Sequence, residues 1–407
     1  MITQDSSRSE WGTFGTPKPR TVIGILAFVS FTFVYNNVVL APILLEIAVD
    51  LRTTAGAAGL LILAYAAPSV LTAHVLGFYS DRSVSRRPYL IGGSLVMGVG
   101  TLAGAVAPSF ELLIATRAMS GLGVAMVMPN LNAALSDAFS YRDRGRAVGH
   151  TISAQTLATI GGIPVAGLVA DLFSWRGSLA IVGVLTLSST FILARYLPAD
   201  TPRPEMAPAS AIYRTLLTNR SAVASIVSAF LGAAFWFTWA AYFVAFFQLT
   251  YGLATSVASL LAAGAGGLGI LIGSNIGGRL GDRVGHKRVL ASALAIAGLL
   301  VIGLTNWPMG LVAAVLMNLL VCAASGARMP TNSAMLGEQV PAARATMFGL
   351  TWAAISVGVV FGTGSAGYLI DSRGFGALGL VAGTAALLSG LLVATLVREE
   401  RPHMGVT

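Results

Sequence analysis

The sequence predicts an all-α membrane protein with twelve membrane-spanning helices in two six-helix repeats. Hydrophobic residues make up 55% of the 407 residues and charged residues only 10%, which excludes a soluble globular domain of this length. The apolar residues form runs of about 20, the length that an α-helix needs to cross a bilayer. A short charged motif also occurs twice, half a chain apart. These three observations together indicate a duplicated membrane protein.

Twelve apolar runs define the expected spans. Glycine and proline inside the runs are compatible with membrane helices, where Pro42 and Pro164 are expected to mark bends. We expect spans near residues 21–43, 56–79, 88–107, 110–131, 147–173, 177–197, 221–249, 254–279, 288–305, 309–330, 343–370 and 375–397.

The basic residues predict the orientation. Most of the 25 lysines and arginines fall in the termini and in every second loop, whereas the alternate loops hold only Arg52, Arg176 and Arg373. Because cytoplasmic loops are rich in Lys and Arg, both termini are expected in the cytoplasm of an inner-membrane protein. The net charge of +9 lies in these loops and not on one face, which argues against a nucleic-acid partner. Met1–Arg20 lacks the apolar core of a signal peptide, so the first span is expected to be retained.

The longest polar stretch between spans lies at the centre of the chain and is rich in proline and charge. Such a composition is typical of a solvated linker. The expected organisation is therefore an N-terminal tail 1–20, a six-helix bundle 21–197, a linker 198–220, a second bundle 221–397 and a tail 398–407.

An internal repeat supports this division. Asp81 and Asp282 are 201 residues apart, and Asp171 and Asp371 are 200 residues apart. Parallel repeats of this kind build transporters.

The repeated motif is a charged loop between two spans. In the second copy Gly285 permits a tight reversal, and basic residues then mark the membrane surface. In the first copy Val84-Ser85 replaces that glycine with one extra residue. The motif residues are Gly77, Asp81, Arg82, Arg86 and Arg87 in the first half and Gly278, Asp282, Arg283, Gly285, Lys287 and Arg288 in the second.

These residues resemble the major facilitator superfamily, whose loop signature is Gly-x-x-x-Asp-Arg-x-Gly-Arg/Lys-Arg/Lys. The stretch Arg117-Ala-Met-Ser-Gly-Leu-Gly123 is similar to the superfamily's Arg-x-x-x-Gly-x-Gly motif, which the resemblance implicates in proton coupling. The fifth span resembles the antiporter signature Gly-Pro-x-x-Gly-Gly, although Ile163 and Ala166 replace two of its glycines. With Trp175-Arg176 after it, the chain is most similar to twelve-helix drug and small-solute efflux proteins. The residues that carry the antiporter-like motif are Gly161, Gly162, Pro164 and Gly167.

The loop aspartates are expected to act as a latch at the cytoplasmic side. Each aspartate would pair with an arginine of a neighbouring helix when the transporter faces outward, and release it when the halves rock. The alternative is that these residues only set topology, but aspartate contributes little to orientation. The candidate partners are Arg142, Arg144 and Arg344.

Arg117 is the one ion deep within an expected span. A guanidinium in hydrocarbon costs several kcal/mol unless it is paired or hydrated, so we expect it to face a cavity. There it would bind an anionic substrate or lower the pKa of a proton-carrying carboxylate. The alternative is a fixed ion pair with Glu46 or Glu111. The repeat places Asn318 at the corresponding position.

No Asp or Glu lies in the middle of an expected span, so the coupling residue is sought near the span ends. Glu46, one turn past Pro42, is the nearest acidic candidate. His74 and His150 are further candidates, because histidine is the side-chain type suited to proton transfer, but both lie toward cytoplasmic ends, where a hydrogen-bonded structural histidine is the alternative.

The seventh span carries an aromatic face that contains Trp239 and Tyr242 together with Phe235 and Phe246. It would form one wall of a cavity for flat apolar solutes, or else face lipid. A polar set on the fourth and tenth spans would face the pore, or else serve packing and backbone capping. The further cavity candidates are Asn36, Asn37, Asn130, Asn132, Asn318, Arg328, Thr331 and Asn332.

An enzyme is not expected, because the sequence has no metal-ligand cluster, nucleotide-binding loop or nucleophile–base pair. The favoured function is proton-coupled export of small apolar or amphipathic compounds by a monomer in the lipid bilayer, driven by the proton gradient without cofactor or metal. One alternative is uptake or facilitated transport of a small organic anion, with Arg117 and Arg328 as ligands. The other is a transport-inactive receptor or scaffold, for which the tails are too short.

Overall fold

Long apolar helices account for nearly all of the residues that the structure, a computed structural model, describes. These residues are 19–69, 72, 85–138, 141–197, 218–339 and 344–399. Ten helices in these ranges are long and apolar enough to cross a membrane, and none of the described residues forms a strand. The all-α membrane fold is thereby confirmed.

The helices follow the predicted spans closely. We number them α1 to α12. The first half contains α1 (Pro19–Val38, continued as Leu40–Asp50), α2 (Ala55–Ser69), α3 (Arg87–Ala105), α4 (Phe110–Ala138), α5 (Tyr141–Ile160, continued as Gly162–Leu172) and α6 (Trp175–Tyr196). The second half contains α7 (Arg220–Tyr251), α8 (Thr255–Val284), α9 (His286–Asn306), α10 (Leu311–Gln339), and α11 and α12 within Arg344–Leu396.

Gly374 separates α11 from α12. Its φ of 76° and ψ of −174° are not helical and lie in a backbone region that glycine adopts readily and residues with a Cβ do not. The apolar stretch Arg344–Leu396 therefore contains two helices. With this division and the shorter apolar helix Ala55–Ser69, the described helices correspond one by one to the twelve predicted spans.

Two prolines account for the breaks in α1 and α5. A proline ring clashes with the carbonyl of the residue four positions earlier and donates no hydrogen bond to it. For Pro42 that residue is Val38, where the first segment of α1 ends. For Pro164 it is Ile160, where the first segment of α5 ends. The bends expected at both prolines are thus explained by a local backbone effect.

The helices alternate in direction, so the connections lie at two ends of the molecule. We call the end that contains Asp50 and the α11–α12 kink the Asp50 end. The opposite end, which contains the α8–α9 connection at Gly285, is the Gly285 end. An apolar cluster at the Asp50 end unites Leu44 and Ile163 of the first half with Trp239 and Ala262 of the second. The two halves are therefore in close contact there.

Candidate functional site

Arg117 lies inside α4 and is completely buried. Its Nη1 donates to Asn36 Oδ1 at 3.1 Å, and its Nη2 donates to the Asn36 carbonyl oxygen at 3.0 Å. The guanidinium also lies over the Tyr65 ring of α2, 4.6 Å from its centroid. These contacts draw the side chain into the first-half bundle, which corrects the expectation that it faces a cavity in this conformation.

The alternative ion pair of Arg117 is not formed either. Glu111 is exposed in the first turn of α4, and Glu46 instead accepts a hydrogen bond from Thr255 Oγ1 at 2.7 Å. Among the described residues, neutral groups alone satisfy the Arg117 guanidinium, and its Nε has no hydrogen-bond partner. The first half thus holds a buried positive charge that no described carboxylate neutralises.

A polar network around Asn36 supports this charge. Asn36 Nδ2 donates to Thr101 Oγ1 at 2.7 Å, and Thr101 Oγ1 lies 3.2 Å from Ser120 Oγ. Thr186 Oγ1 lies 3.5 Å from the same amide nitrogen. Helices α1, α3, α4 and α6 therefore meet at one buried polar cluster, which we call the Arg117 cluster. Buried polar groups of this kind are costly unless they are paired, so the cluster fixes the register of these helices.

The second half has a related contact between the corresponding helices. Asn318, which the repeat places opposite Arg117, is buried in α10. Its Oδ1 accepts from Trp239 Nε1 of α7 at 3.1 Å, and its Nδ2 donates to the Ala262 carbonyl at 3.0 Å. Ala262 belongs to a π-helical turn, Leu260–Gly264, an irregularity often found at functional sites. The α1–α4 and α7–α10 pairs are thus each joined by a buried polar contact.

The aromatic face of α7 points into the protein. Phe235, Trp239 and Tyr242 are fully buried, and Phe246 is 3% exposed. The alternative that these side chains face lipid is therefore wrong. Trp239 and Phe246 pack with their ring centroids 5.5 Å apart, and the Tyr242 hydroxyl lies 3.4 Å from the carbonyl oxygen of Gly56. Their contact with a substrate stays a prediction.

The remaining cavity candidates have different surroundings. Asn130 is buried, and its Nδ2 donates to the Met126 carbonyl at 2.8 Å, as the capping alternative requires. Asn37 is partly buried. Arg328 is also partly buried, its Nε has no hydrogen-bond partner, and a Cβ on Gly232 would lie 2.9 Å from its Nη1. Gly232 of α7, which has no side chain, therefore leaves space for the Arg328 guanidinium.

The antiporter-like motif of α5 serves close helix packing. A Cβ on Gly162 would lie 2.7 Å from the Tyr35 ring of α1. A Cβ on Gly167 would lie 2.4 Å from Ser259 Oγ of α8 in the other half. Gly161 and Pro164 lie at the break of the helix. The motif therefore lets α5 approach helices of both halves.

The loop motif is described fully in its second copy, and in its first copy only at Arg86 and Arg87. Gly77, Asp81, Arg82 and His74, and the side chains of Arg144 and Arg344, lie outside the described residues.

Gly285 adopts a φ of 101°, which confirms the need for glycine at the turn. Asp282 is 76% exposed, and its carboxylate lies 3.5 Å from His286 Nε2. Among the described residues no arginine pairs with Asp282, and Arg283 and Arg288 are exposed. Glu399 Oε1 accepts from the His286 backbone N–H at 2.6 Å. The side chains of the candidate partners Arg142, Arg144 and Arg344 lie outside the described residues, so the latch stays a prediction.

In the first copy, Arg87 donates through Nη2 to the carbonyl oxygen of Ala194. Arg86 lies one residue before α3 and, like Lys287 in the second copy, is partly buried. Gly278 lies next to Pro330 of α10, with space for a Cβ at 3.9 Å.

An Asp282→Asn substitution tests the latch. Because Asp282 is exposed here, we expect the free energy of unfolding to change by less than about 0.5 kcal/mol. We expect transport to slow by about fivefold, because the state closed at the Gly285 end would lose one charged pair. Transport in vesicles and thermal unfolding measure the two effects, with Glu399→Gln as the neighbouring control. Unchanged transport together with unchanged accessibility of the Gly285 end would reject the latch.

Among the described residues, several hydrogen bonds join the two halves at the Asp50 end. Asp371 of α11 accepts from Thr54 Oγ1 at 2.5 Å and from the Gly56 backbone N–H at 2.9 Å. Asp171 of α5 accepts from the Ser256 backbone N–H at 2.8 Å. The Glu46–Thr255 and Tyr242–Gly56 contacts described above also cross between the halves. We call this set of contacts the seam.

The seam closes the Asp50 end. Gly56 and Gly367 approach so closely that a Cβ on Gly56 would lie 2.2 Å from the Gly367 carbonyl oxygen. Sequence reasoning noted Asp171 and Asp371 only as matching positions of the repeat. The two aspartates and the starts of α2 and α8 are all related by the same repeat offset of 200 residues, and this was the signal that could have identified the aspartates as partners across the halves.

A family model described as "Major Facilitator Superfamily" matches residues 26–275 and 226–407. The MFS-type transporter YceJ of Bacillus subtilis is 27% identical over 373 residues, 89% of this chain and 93% of the relative. A chloramphenicol resistance protein of Streptomyces lividans is 31% identical over 167 residues, 40% of this chain and 42% of the relative. The 3-(3-hydroxy-phenyl)propionate transporter of Escherichia coli is 30% identical over 156 residues, 37% of each chain.

Solved structures share the fold. A bacterial homologue of the human lysosomal transporter Spinster, in an inward-facing and occupied conformation, superposes with a TM-score of 0.77 at 16% identity. The match covers 93% of this chain and 96% of that structure. A D-xylose–proton symporter superposes with a TM-score of 0.76 at 17% identity, over 93% of this chain and 98% of the symporter.

Proposed function

The chain belongs to the major facilitator superfamily of transporters, and we propose that it exports small apolar or amphipathic compounds in exchange for protons. The observation that carries the proposal is the seam, which joins the two repeats at the Asp50 end. Transporters built from such repeats work by alternating access, in which one end closes while the other opens. Asp282 at the Gly285 end is exposed, as expected for the state that is closed at the Asp50 end and open at the Gly285 end.

The Arg117 cluster supports proton coupling. A buried guanidinium without a described counter-charge lowers the pKa of any carboxylate that approaches it, and so favours proton release. Glu46 remains the candidate carrier, since it is partly buried at the seam and bound to Thr255 of the other half. A proton on Glu46 would weaken that contact, which links protonation to movement of the halves.

Export of apolar compounds is favoured by the interior of the protein and by one relative. The buried aromatic face of α7 offers rings and few charges to a solute. The Streptomyces relative is named for resistance to chloramphenicol. We propose that the Gly285 end faces the cytoplasm of the inner membrane, and that the bundles 21–197 and 221–397, joined by the linker 198–220, rock against each other.

Inverted membrane vesicles with an imposed proton gradient and a pH-sensitive dye test this proposal. Lipophilic cations, neutral aromatics and small carboxylates are added in turn. Proton release from the lumen on adding an apolar compound, absent from vesicles without the protein, is the expected result. If substrate accumulates without any proton movement, proton antiport is rejected.

Arg328 favours a second candidate function, the transport of a small organic anion. Arg328 is partly buried within α10 and its buried Nε lacks a partner, so a substrate carboxylate that reached the guanidinium could complete its hydrogen bonds. The Escherichia coli relative is named for an aromatic carboxylate.

An Arg328→Gln substitution separates the two candidates. If the substrate is an anion bound by Arg328, its KM rises by about tenfold or more, because a charge-assisted hydrogen bond is lost. Transport of neutral aromatics stays unchanged. Arg279→Gln, at an exposed position of α8, is the matched control. An unchanged KM for every carboxylate would exclude Arg328 as a ligand.

A further inference from the structure

We infer that Asp171 and Asp371 are a matched pair of gating residues that hold the Asp50 end shut. The inference rests on the proposed alternating-access function. Each carboxylate reaches from the end of a helix in one half to the start of a helix in the other. We call the Asp371 contacts with Thr54 and Gly56 the first clasp, and the Asp171 contact with Ser256 the second clasp.

The two clasps have the same construction. Asp171 and Asp371 are 200 residues apart, and so are the two backbone donors, Gly56 and Ser256. Each carboxylate therefore belongs to one repeat and binds the equivalent N–H of the other repeat. An arrangement that appears twice under the repeat symmetry is a property of how the halves meet, because a chance contact would not recur at equivalent positions.

The donors suit a reversible gate. Gly56 and Ser256 lie in the first turns of α2 and α8, where backbone N–H groups have no intrahelical carbonyl partner. They need a partner from elsewhere, and a carboxylate gives a hydrogen bond roughly twice as strong as a neutral acceptor. Since both clasps lie at the end of the bundle, water can replace the carboxylate when the halves separate. The clasps thus favour closure without making it permanent.

Asp50 shows that position alone does not create such a contact. It lies at the same end, yet its carboxylate accepts from Trp175 Nε1 at 3.0 Å and pairs with Arg176, both in its own half. Asp50 therefore provides a matched control for charge at this end of the molecule.

A reporter cysteine measures opening of the seam. Ala58 is fully buried and packs in one cluster with Tyr242 and Ala366 of the other half. Ala58→Cys is placed in a Cys322→Ala background, which removes the one native thiol. The purified protein is reacted with a polar maleimide in detergent, where both ends face the reagent, so the result does not depend on orientation or on transport.

We expect Asp171→Ala to raise the labelling rate by about tenfold, the effect of losing one charge-assisted hydrogen bond. Asp371→Ala should raise it at least as much, because the Asp371 carboxylate accepts two. The double variant should exceed either single variant, and the isosteric Asn variants should fall between Ala and the parent. Asp50→Ala should label as the parent does.

Labelling of the double Ala variant at the parent rate would overturn the inference. So would an equal rise with Asp50→Ala, because it would indicate general loosening of this end. Transport is measured in parallel on the same variants. If the Asp variants label faster but the parent protein transports no substrate, the gating role of the clasps is supported and the proposed transport function is rejected.

Discussion

Replacement of Arg117 by alanine is expected to reduce proton-linked transport by about 100-fold. This factor lies near the upper end of those typical of the coupling between two sites in one protein. The substitution removes the buried charge and leaves Asn36 Oδ1 and the Asn36 carbonyl without their donors. An unsatisfied buried acceptor costs about 1–3 kcal/mol. Some of that loss is offset because the desolvated charge itself disappears. We therefore expect a large loss of transport with a moderate loss of stability, measured by vesicle assays and thermal unfolding.

Two further variants separate charge from packing. Arg117→Lys keeps the charge, but an ammonium cannot reproduce the two hydrogen bonds of the guanidinium to Asn36. Thr101→Val removes the 2.7 Å bond to Asn36 Nδ2 and leaves the charge in place. If the charge matters, transport falls in the order wild type, Thr101→Val, Arg117→Lys, Arg117→Ala. Normal transport by the Arg117→Ala variant would mean that neither coupling nor anion binding depends on this residue.

The helices could be predicted from the sequence because their determinants are local. Run length and hydrophobicity define the spans, and Pro42 and Pro164 define the breaks through the residue four positions earlier. The turn at Gly285 follows from the conformational freedom of glycine. Each of these effects acts over a few residues, so no knowledge of neighbouring helices is required.

Contacts between helices could not be predicted in the same way. Arg117 and Asn36 are 81 residues apart, and the sequence does not define the rotation or depth of α4 relative to α1. The two glutamates considered as partners were reasonable by charge, but Glu46 is occupied by the other half. The repeat was the one long-range signal available. It correctly paired Arg117 with Asn318 as equivalent positions, yet it could not reveal that Asn318 binds Trp239.

Replacement of Gly56 by alanine is expected to hold the Asp50 end open and to slow transport by about tenfold or more. The new Cβ would lie 2.2 Å from the Gly367 carbonyl oxygen and 2.3 Å from Asp371 Oδ2. Neither approach is possible, and one of the blocking atoms belongs to backbone, so α2 must move away from α11. That movement also breaks the 2.9 Å bond from the Gly56 N–H to Asp371. A shift of about 1.4 kcal/mol between the closed and open states suffices for a tenfold change.

The Ala58→Cys reporter and the transport rate measure this effect together, and Gly24→Ala is the matched control. Gly24 lies in α1 with no atom within 4 Å of an added Cβ, so this substitution should change neither measurement. Gly367→Ala meets the Gly56 carbonyl oxygen at the same 2.2 Å and should reproduce the effect from the other half. Because either methyl group already separates the helices, the double variant should add little to the single ones. Additive effects of the two alanines, or normal transport with either, would show that this glycine contact does not control the seam.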